Sequence, residues 1–126
     1  MKDFDSWNTQ KKKIDEKQTY PTVNQREVWW CSVGLNVGNE ENGKGEFFRR
    51  PILIIRKFDK YTCLGVPLTT KIKDKWYYHT ITLHGQEQSV IITQIKLFDV
   101  RRLTSLLGKI PKNQFDIIRD KIKDII

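Results

Sequence analysis

Arg50-Pro51-Ile52-Leu53-Ile54-Ile55-Arg56-Lys57-Phe58-Asp59-Lys60-Tyr61-Thr62-Cys63-Leu64-Gly65-Val66-Pro67-Leu68-Thr69 reads as two strands and the turn between them. The β-branched and aromatic content on either side of Asp59-Lys60, with no helical spacing of apolar residues, predicts strands over 50–58 and 61–69 joined by a tight hairpin. Working outward, runs of the same character occupy 27–33, 76–83 and 88–98, the last open to division in two. Lys71 to Lys75 and His84-Gly85-Gln86 supply further connections. Asn36 to Glu46 holds three glycines and almost nothing to bury, so it reads as a long surface loop. Because no helix separates these strands, the expected fold is mainly β, a small antiparallel barrel rather than an α/β sheet.

Helices are expected at the two ends. Phe4, Trp7 and Ile14 share one face of a helix over about residues 4–17, with Lys11, Lys12 and Lys13 between them. Tyr20-Pro21-Thr22 then favours extended backbone, so 18–25 reads as a linker and 1–26 as an appendage to a domain over 27–126. After Phe98, Asp99 is placed to cap a helical turn through Leu106, with Gly108 as a left-handed stop. The closing stretch 111–126 sets Phe115, Ile118, Ile122 and Ile125 on one stripe, the mark of an amphipathic helix packed on the barrel.

The chain of 126 residues has the length of one domain. Its 23 Lys and Arg against 15 Asp and Glu leave a net charge of +8, which points to an anionic partner, nucleic acid first. Most of that excess lies in 27–110, with thirteen basic and eight acidic residues. The longest purely apolar run, Ile52 to Ile55, is far short of a bilayer span, and the first residues lack the apolar core of a secretory signal. The expectation is a cytoplasmic protein with no membrane association. Cys31 and Cys63 sit among apolar neighbours, with 31 residues between them, and read as reduced buried thiols.

Common chemistries fit poorly. Two Cys and His79 and His84 lack the close cysteine pair of a structural zinc site. No serine sits in a nucleophile elbow, and the glycines at 38, 43 and 45 precede a strand rather than a helix, so no phosphate-cradling loop is formed.

What remains is an order of motifs. Val28-Trp29-Trp30 leads into a loop with Gly38 and Glu40, which ends in Arg49-Arg50-Pro51 opening the apolar strand. The next strand closes Val66-Pro67-Leu68-Thr69-Thr70, and later come Val90-Ile91-Ile92-Thr93-Gln94-Ile95, Lys96-Leu97-Phe98-Asp99 and Arg101-Arg102-Leu103. This succession resembles the PemK/MazF family of toxins from bacterial toxin–antitoxin systems, over residues 27 to about 125. The resemblance implies a homodimeric SH3-like barrel that cuts single-stranded RNA without a metal or other cofactor. It also implies a cognate antitoxin occupying the same groove.

The family's arginine before the proline falls on Arg50, its threonine after the third strand on Thr69, and its loop carboxylate on Glu40. Attack of a ribose 2′-OH on the neighbouring phosphate builds negative charge that a planar, permanently charged guanidinium answers. Arg50 is therefore expected to stabilise charge and Thr69 to donate a hydrogen bond to the same phosphate. Glu40 is the candidate for removing the 2′-OH proton, with His79 and His84 as remote alternatives. Arg49, Lys71, Lys73 and Lys96 are expected to guide RNA, and Gln94 to read a base edge. Trp29, Trp30, Trp76, Tyr77 and Tyr78 are expected mostly in the core, one or two being free to stack on bases.

Some residues depart from the family pattern. Thr93 stands where some members have an acid, Asn39 where some have histidine, and Lys96 where an arginine is frequent. Two alternatives stay open on the sequence: a non-catalytic nucleic-acid-binding barrel, and a toxin of the same fold that poisons a protein such as a topoisomerase.

Overall fold

The computed structural model describes residues 3–16, 19–33 and 49–126. In chain order the elements are helix α1 (Phe4–Asp15), strands β1 (Glu27–Ser32), β2 (Arg49–Lys57), β3 (Thr62–Thr69), β4 (Tyr78–Leu83), β5 (Gln86–Ile91), β6 (Lys96–Asp99) and β7 (Leu103–Lys109), and helix α2 (Lys112–Ile125). Single 3-10 turns, Ile92–Gln94 and Val100–Arg102, precede β6 and β7.

The strands form one curled antiparallel sheet in the order β4-β5-β3-β2-β1-β7, with β6 also paired to β3. β3 achieves this by splitting its outer edge: Thr62 to Gly65 bond β6, while Leu68 and Thr69 bond β5. The apolar run explains why β2 lies centrally. Leu53 and Ile55 pack into one core layer with Val28, Val66, Leu68, Val90, Phe115 and Ile118, whereas Ile52 and Ile54 pack into a second with Cys31, Cys63, Phe98 and Leu103. A strand whose alternate residues are all buried has no solvent face.

The sheet curls until its end strands meet, as a half-barrel. β4 and β5 are joined by a two-residue turn in which His84 and Gly85 both have positive φ, 52° and 76°, the geometry that matches hairpin twist. This turn reaches β7, where the His84 Nε2 bonds the Leu107 carbonyl. Gly108 permits the contact, since a Cβ there would sit 3.0 Å from Leu83 Cδ1 and 3.1 Å from His84 Nε2.

α2 lays Phe115, Ile118 and Ile122 on the first core layer. Ile125, expected on the same stripe, is exposed at the fraying end. α1 starts at Asp3, whose carboxylate accepts from the Ser6 amide at 3.0 Å and the Ser6 hydroxyl at 2.6 Å. It buries Trp7 and Ile14 but leaves Phe4 exposed, because only the first two face the turn Val100–Arg102. There Arg102 lies over the Trp7 ring, 5.6 Å from its centroid, and the Arg101 Nη1 donates to the Asp15 carbonyl at 2.9 Å.

The structure corrects several boundaries. The run 88–98 is broken by the turn Ile92–Gln94, and the strand expected from 76 begins at Tyr78. Asp99 does cap a turn, its Oδ1 accepting from the Arg101 amide at 2.9 Å, but the turn ends at Arg102 and no helix reaches Leu106. Leu103–Lys109 is instead β7, because β1 has an otherwise open edge and pairing it outweighs a short helix. Gly108 thus serves close approach and not a left-handed cap. Residues 19–26 are more than a linker, since Val23 is fully buried in the second core layer with Tyr20 packed against it. The expected loop 36–46 lies outside the described residues.

Asp99 is also paired with Arg101, whose Nε and Nη2 donate to its two oxygens at 3.0 and 2.7 Å. The Arg101 side-chain bonds, reinforced by its amide, hold the Asp99 carboxyl below the usual aspartate range. A lowered folded value means that the pair contributes stability above the unfolded value of about 3.9 and loses it as pH falls through the folded one. Asp99→Asn is therefore expected to lower Tm by about 1–3 °C at pH 7. The gap from the parent should close below about pH 3; a gap of constant size across a pH series of melts would contradict the assignment.

Candidate active site

The hairpin β2–β3 sets the geometry. Its register pairs Ile52 with Pro67 and Leu53 with Val66, and carried on by two residues it brings Arg50 opposite Thr69. Both lie at the hairpin's open end, where Pro51 pairs with Trp30 and Thr69 pairs with Ser89 of β5. An open cavity of about 480 Å³ forms there, lined by Trp30, Arg49, Arg50, Pro51, Leu68, Thr69, Thr70, Leu83, His84, Gln86, Gln88 and Leu107. Among the described residues its wall holds two arginines and no carboxylate.

Arg50 is only 5% exposed, and its Nη1 donates to the Leu68 carbonyl at 3.0 Å. That bond fixes the guanidinium beside the residue that precedes Thr69. The Thr69 hydroxyl oxygen accepts from the Lys71 amide at 3.2 Å. A hydroxyl oriented by accepting one bond keeps its own proton for an incoming acceptor. Arg49 is half-buried, with its guanidinium 5.9 Å from the centroid of the Trp30 ring, so cation and aromatic platform stand together.

The structure thus brings Arg49, Arg50 and Thr69 into one cavity. It does not bring Lys71, Lys73, Gln94 or Lys96 into that wall. Lys71 and Lys73 lie on the exposed connection after β3, with Lys73 Nζ 5.7 Å from the Tyr78 ring. Lys96 pairs with Gly65, four residues along β3 from Thr69 or roughly 13 Å at the usual strand rise, and its Nζ lies 5.9 Å from the Phe98 ring. Gln94 is half-buried in the 3-10 turn before β6. Glu40 and Asn39 lie outside the described residues.

The aromatic expectation also needs correction. Trp29, Trp30, Tyr77 and Tyr78 are half-buried and Trp76 is 60% exposed; of the five, Trp29 packs against the second core layer and none is fully buried. Trp76 and Tyr77 lie in the turn before β4 and not on a strand, so no sheet face carries them into a core layer. His79 is bonded through Nε2 to Gln114 Oε1 at 2.8 Å, away from the cavity, whereas His84 lines it. Gln86 and Gln88 were missed altogether. The available signal was a polar residue at an alternate position of a strand whose next residue on that face, Val90, is apolar.

Cys31 and Cys63 are free and buried, as expected. Burial raises both thiols, Cys63 to about 11, so neither is a nucleophile at neutral pH. Among the described residues no three His, Cys, Asp or Glu side chains cluster as metal ligands. No helix among them is long and apolar enough to cross a membrane.

The fold occurs in solved proteins. MazF from Deinococcus radiodurans superimposes with a TM-score of 0.65 at 19% identity, covering 86% of this chain and 97% of that one. An endoribonuclease in complex with its cognate antitoxin from a mycobacterial species gives 0.64 at 15% identity, over 82% and 93% of the two chains. The Mycobacterium tuberculosis toxin MazF-mt6 gives 0.61 at 14%, over 79% and 94%. A search of curated proteins by sequence finds no match. Residues 24–126, in contrast, match the sequence profile of the PemK-like, MazF-like toxin of type II toxin–antitoxin systems. With that match over most of its length and with the curled sheet, Arg50 and Thr69 described above, the chain belongs to the PemK-like, MazF-like family of toxins.

Proposed function

We propose that this protein is a sequence-specific, metal-independent endoribonuclease toxin that cleaves single-stranded RNA. The observation that carries the reading is the meeting of Arg50, held on the Leu68 carbonyl, and the Thr69 hydroxyl in one cavity beside an aromatic platform. In the reaction the 2′-oxygen bonds to the adjacent phosphorus and gives up its proton, for which Glu40 is the proposed acceptor. The P–O5′ bond breaks and the departing oxygen takes a proton from water, leaving a 2′,3′-cyclic phosphate and a 5′-hydroxyl. Arg50 stabilises the charge that gathers on the phosphoryl oxygens, and Thr69 bonds one of them. A fixed guanidinium supplies this without a Lewis acid.

The same reading makes the protein a cytoplasmic homodimer whose cognate antitoxin covers the groove. An acidic segment complements a cavity walled by Arg49 and Arg50, and a neighbour of the same fold is an endoribonuclease in complex with its cognate antitoxin. Residues 27–126 are proposed as the toxin domain, with Val23 its anchor to the preceding segment. Lys71, Lys73 and Lys96 are assigned to longer-range guidance of RNA and Gln94 to a contact outside the cavity.

Incubating the purified, antitoxin-free protein with a long single-stranded RNA in excess chelator tests the reading. Discrete cuts with cyclic-phosphate and 5′-hydroxyl ends are expected. Intact RNA from folded protein, or cleavage that vanishes with chelator, would overturn the catalytic or the metal-independent part respectively.

A further inference from the structure

We propose that Gln88 is a base-reading residue that helps to set which sequence this protein accepts, a role that rests on RNA being the ligand. Gln88 is 8% exposed and lines the cavity shared with Arg50 and Thr69. Among the described residues its side chain makes no hydrogen bond; it pairs with Ile81 of β4, while the ladder between β3 and β5 ends one residue on, at Ser89. A carboxamide carries two donors and an acceptor, and with no protein partner these face the open cavity, where a ligand can pair them. Gln88 opposes Ile81 across β4, and Val90 on its own face is fully buried, so packing alone favours an aliphatic side chain at this position. The amide is unpaired toward the cavity, which is where a ligand would complete it.

The position specifies the ligand part. Thr69 is paired with Ser89, so Gln88 lies one residue along β5 from the partner of the residue assigned to the phosphate, and both line the same cavity wall. A group there reaches the base of a nucleotide flanking the scissile phosphate. The rest of the wall suits a flat base with one polar edge: Trp30 offers a stacking face, while Pro51, Leu68, Leu83 and Leu107 are apolar. His84 completes the polar end. A carbonyl only accepts, so the His84 Nε2 on Leu107 is the donating nitrogen. An adjacent donor and acceptor from one amide can pair with the Watson–Crick or Hoogsteen edge of a base, as with N6–H and a ring nitrogen of adenine.

The test compares parent, Gln88→Leu and Gln88→Met on a complex single-stranded RNA, mapping every cut and its relative rate. Each variant is expected to keep or raise Tm, to leave the same chemical ends, and to lose about 10- to 100-fold of discrimination at one recognition position, with other positions unchanged. A merely structural glutamine would lower Tm and leave the sequence preference as it was, and that result overturns the proposal. Equal relative rates at all sites in both variants do so too. If the parent cuts no RNA, the catalytic reading fails separately; sequences then enriched from a random RNA pool by parent and Gln88→Leu decide the matter. Different enrichment at one base supports the role, while identical enrichment or no binding overturns it.

Discussion

Arg50→Ala is expected to slow RNA cleavage by about 10²–10³-fold with little change in the affinity for uncleaved RNA. A preorganised donor aimed at developing charge typically contributes that much, because its favourable orientation is established before the reaction and water cannot replace it equally well. Two features make Arg50 such a donor. It is almost fully buried, and the 3.0 Å bond from Nη1 to the Leu68 carbonyl holds it beside Thr69. Arg50→Lys should also be slow, since a single ammonium cannot keep the carbonyl bond and face the phosphate in one plane. Initial rates on one defined RNA, with melts to show that the variants fold, measure the effect. Cleavage by Arg50→Ala within about three-fold of the parent would remove Arg50 from the mechanism, because the loss of such a donor is rarely so mild.

Phe115→Ala is expected to have the largest effect on stability, about 3–5 kcal/mol. Phe115 is 2% exposed and sits at the start of the α2 stripe with Ile118 and Ile122, against Leu53, Val66, Leu68 and Val90. Truncation removes the ring's burial and leaves a void between a helix and a sheet that cannot both close in. A domain of this size is stable by about 5–15 kcal/mol, so the variant should stand near its limit at 37 °C. Loss of activity on warming should follow, because Leu68 and Val90, the neighbours of Thr69 and Ser89, belong to the same layer. Chemical denaturation measures the change, and a value below about 1 kcal/mol would mean that α2 is not an integral part of this core.

Much of the fold is legible locally. The run Ile52 to Ile55, the turn around Asp59 and the Val-Ile-Thr content on either side specify the central hairpin, and Asp59 does organise that turn, its Oδ1 accepting from the amides of Tyr61 and Thr62 at 2.8 Å each. The stripe Phe115, Ile118, Ile122 likewise announces α2. What misled was the stretch after Asp99. A cap residue followed by leucines and a glycine satisfies the rules for a short helix, and only the free edge of β1, 72 to 82 residues earlier in the paired register, makes it a strand. Edge pairing between distant segments leaves no local mark.

The site divides in the same way. Arg50 and Thr69 are placed by one hairpin, so their motifs and their meeting are both written in a contiguous stretch, and the family resemblance identifies them. Lys71, Lys73, Gln94 and Lys96 looked equivalent to them in sequence because charge and polarity say what a residue can do and not where it points. Lys96 is excluded from the cavity wall because β3 divides its edge between β5 and β6, and Lys71 and Lys73 because they lie on the exposed connection after β3.

By itself, then, the sequence determined the class of fold, a charge of +8 that favours an anionic partner, and the placing of Arg50 and Thr69 on one central hairpin. Those depend on composition and on contacts between near neighbours in the chain. Only the tertiary structure decided that β7 exists, that α1 docks on the turn Val100–Arg102, and that Trp30, His84 and Gln88 from three other strands or turns join the same cavity. The reason is geometric: a curled sheet brings together residues whose separation along the chain carries no information until the order of its strands is set.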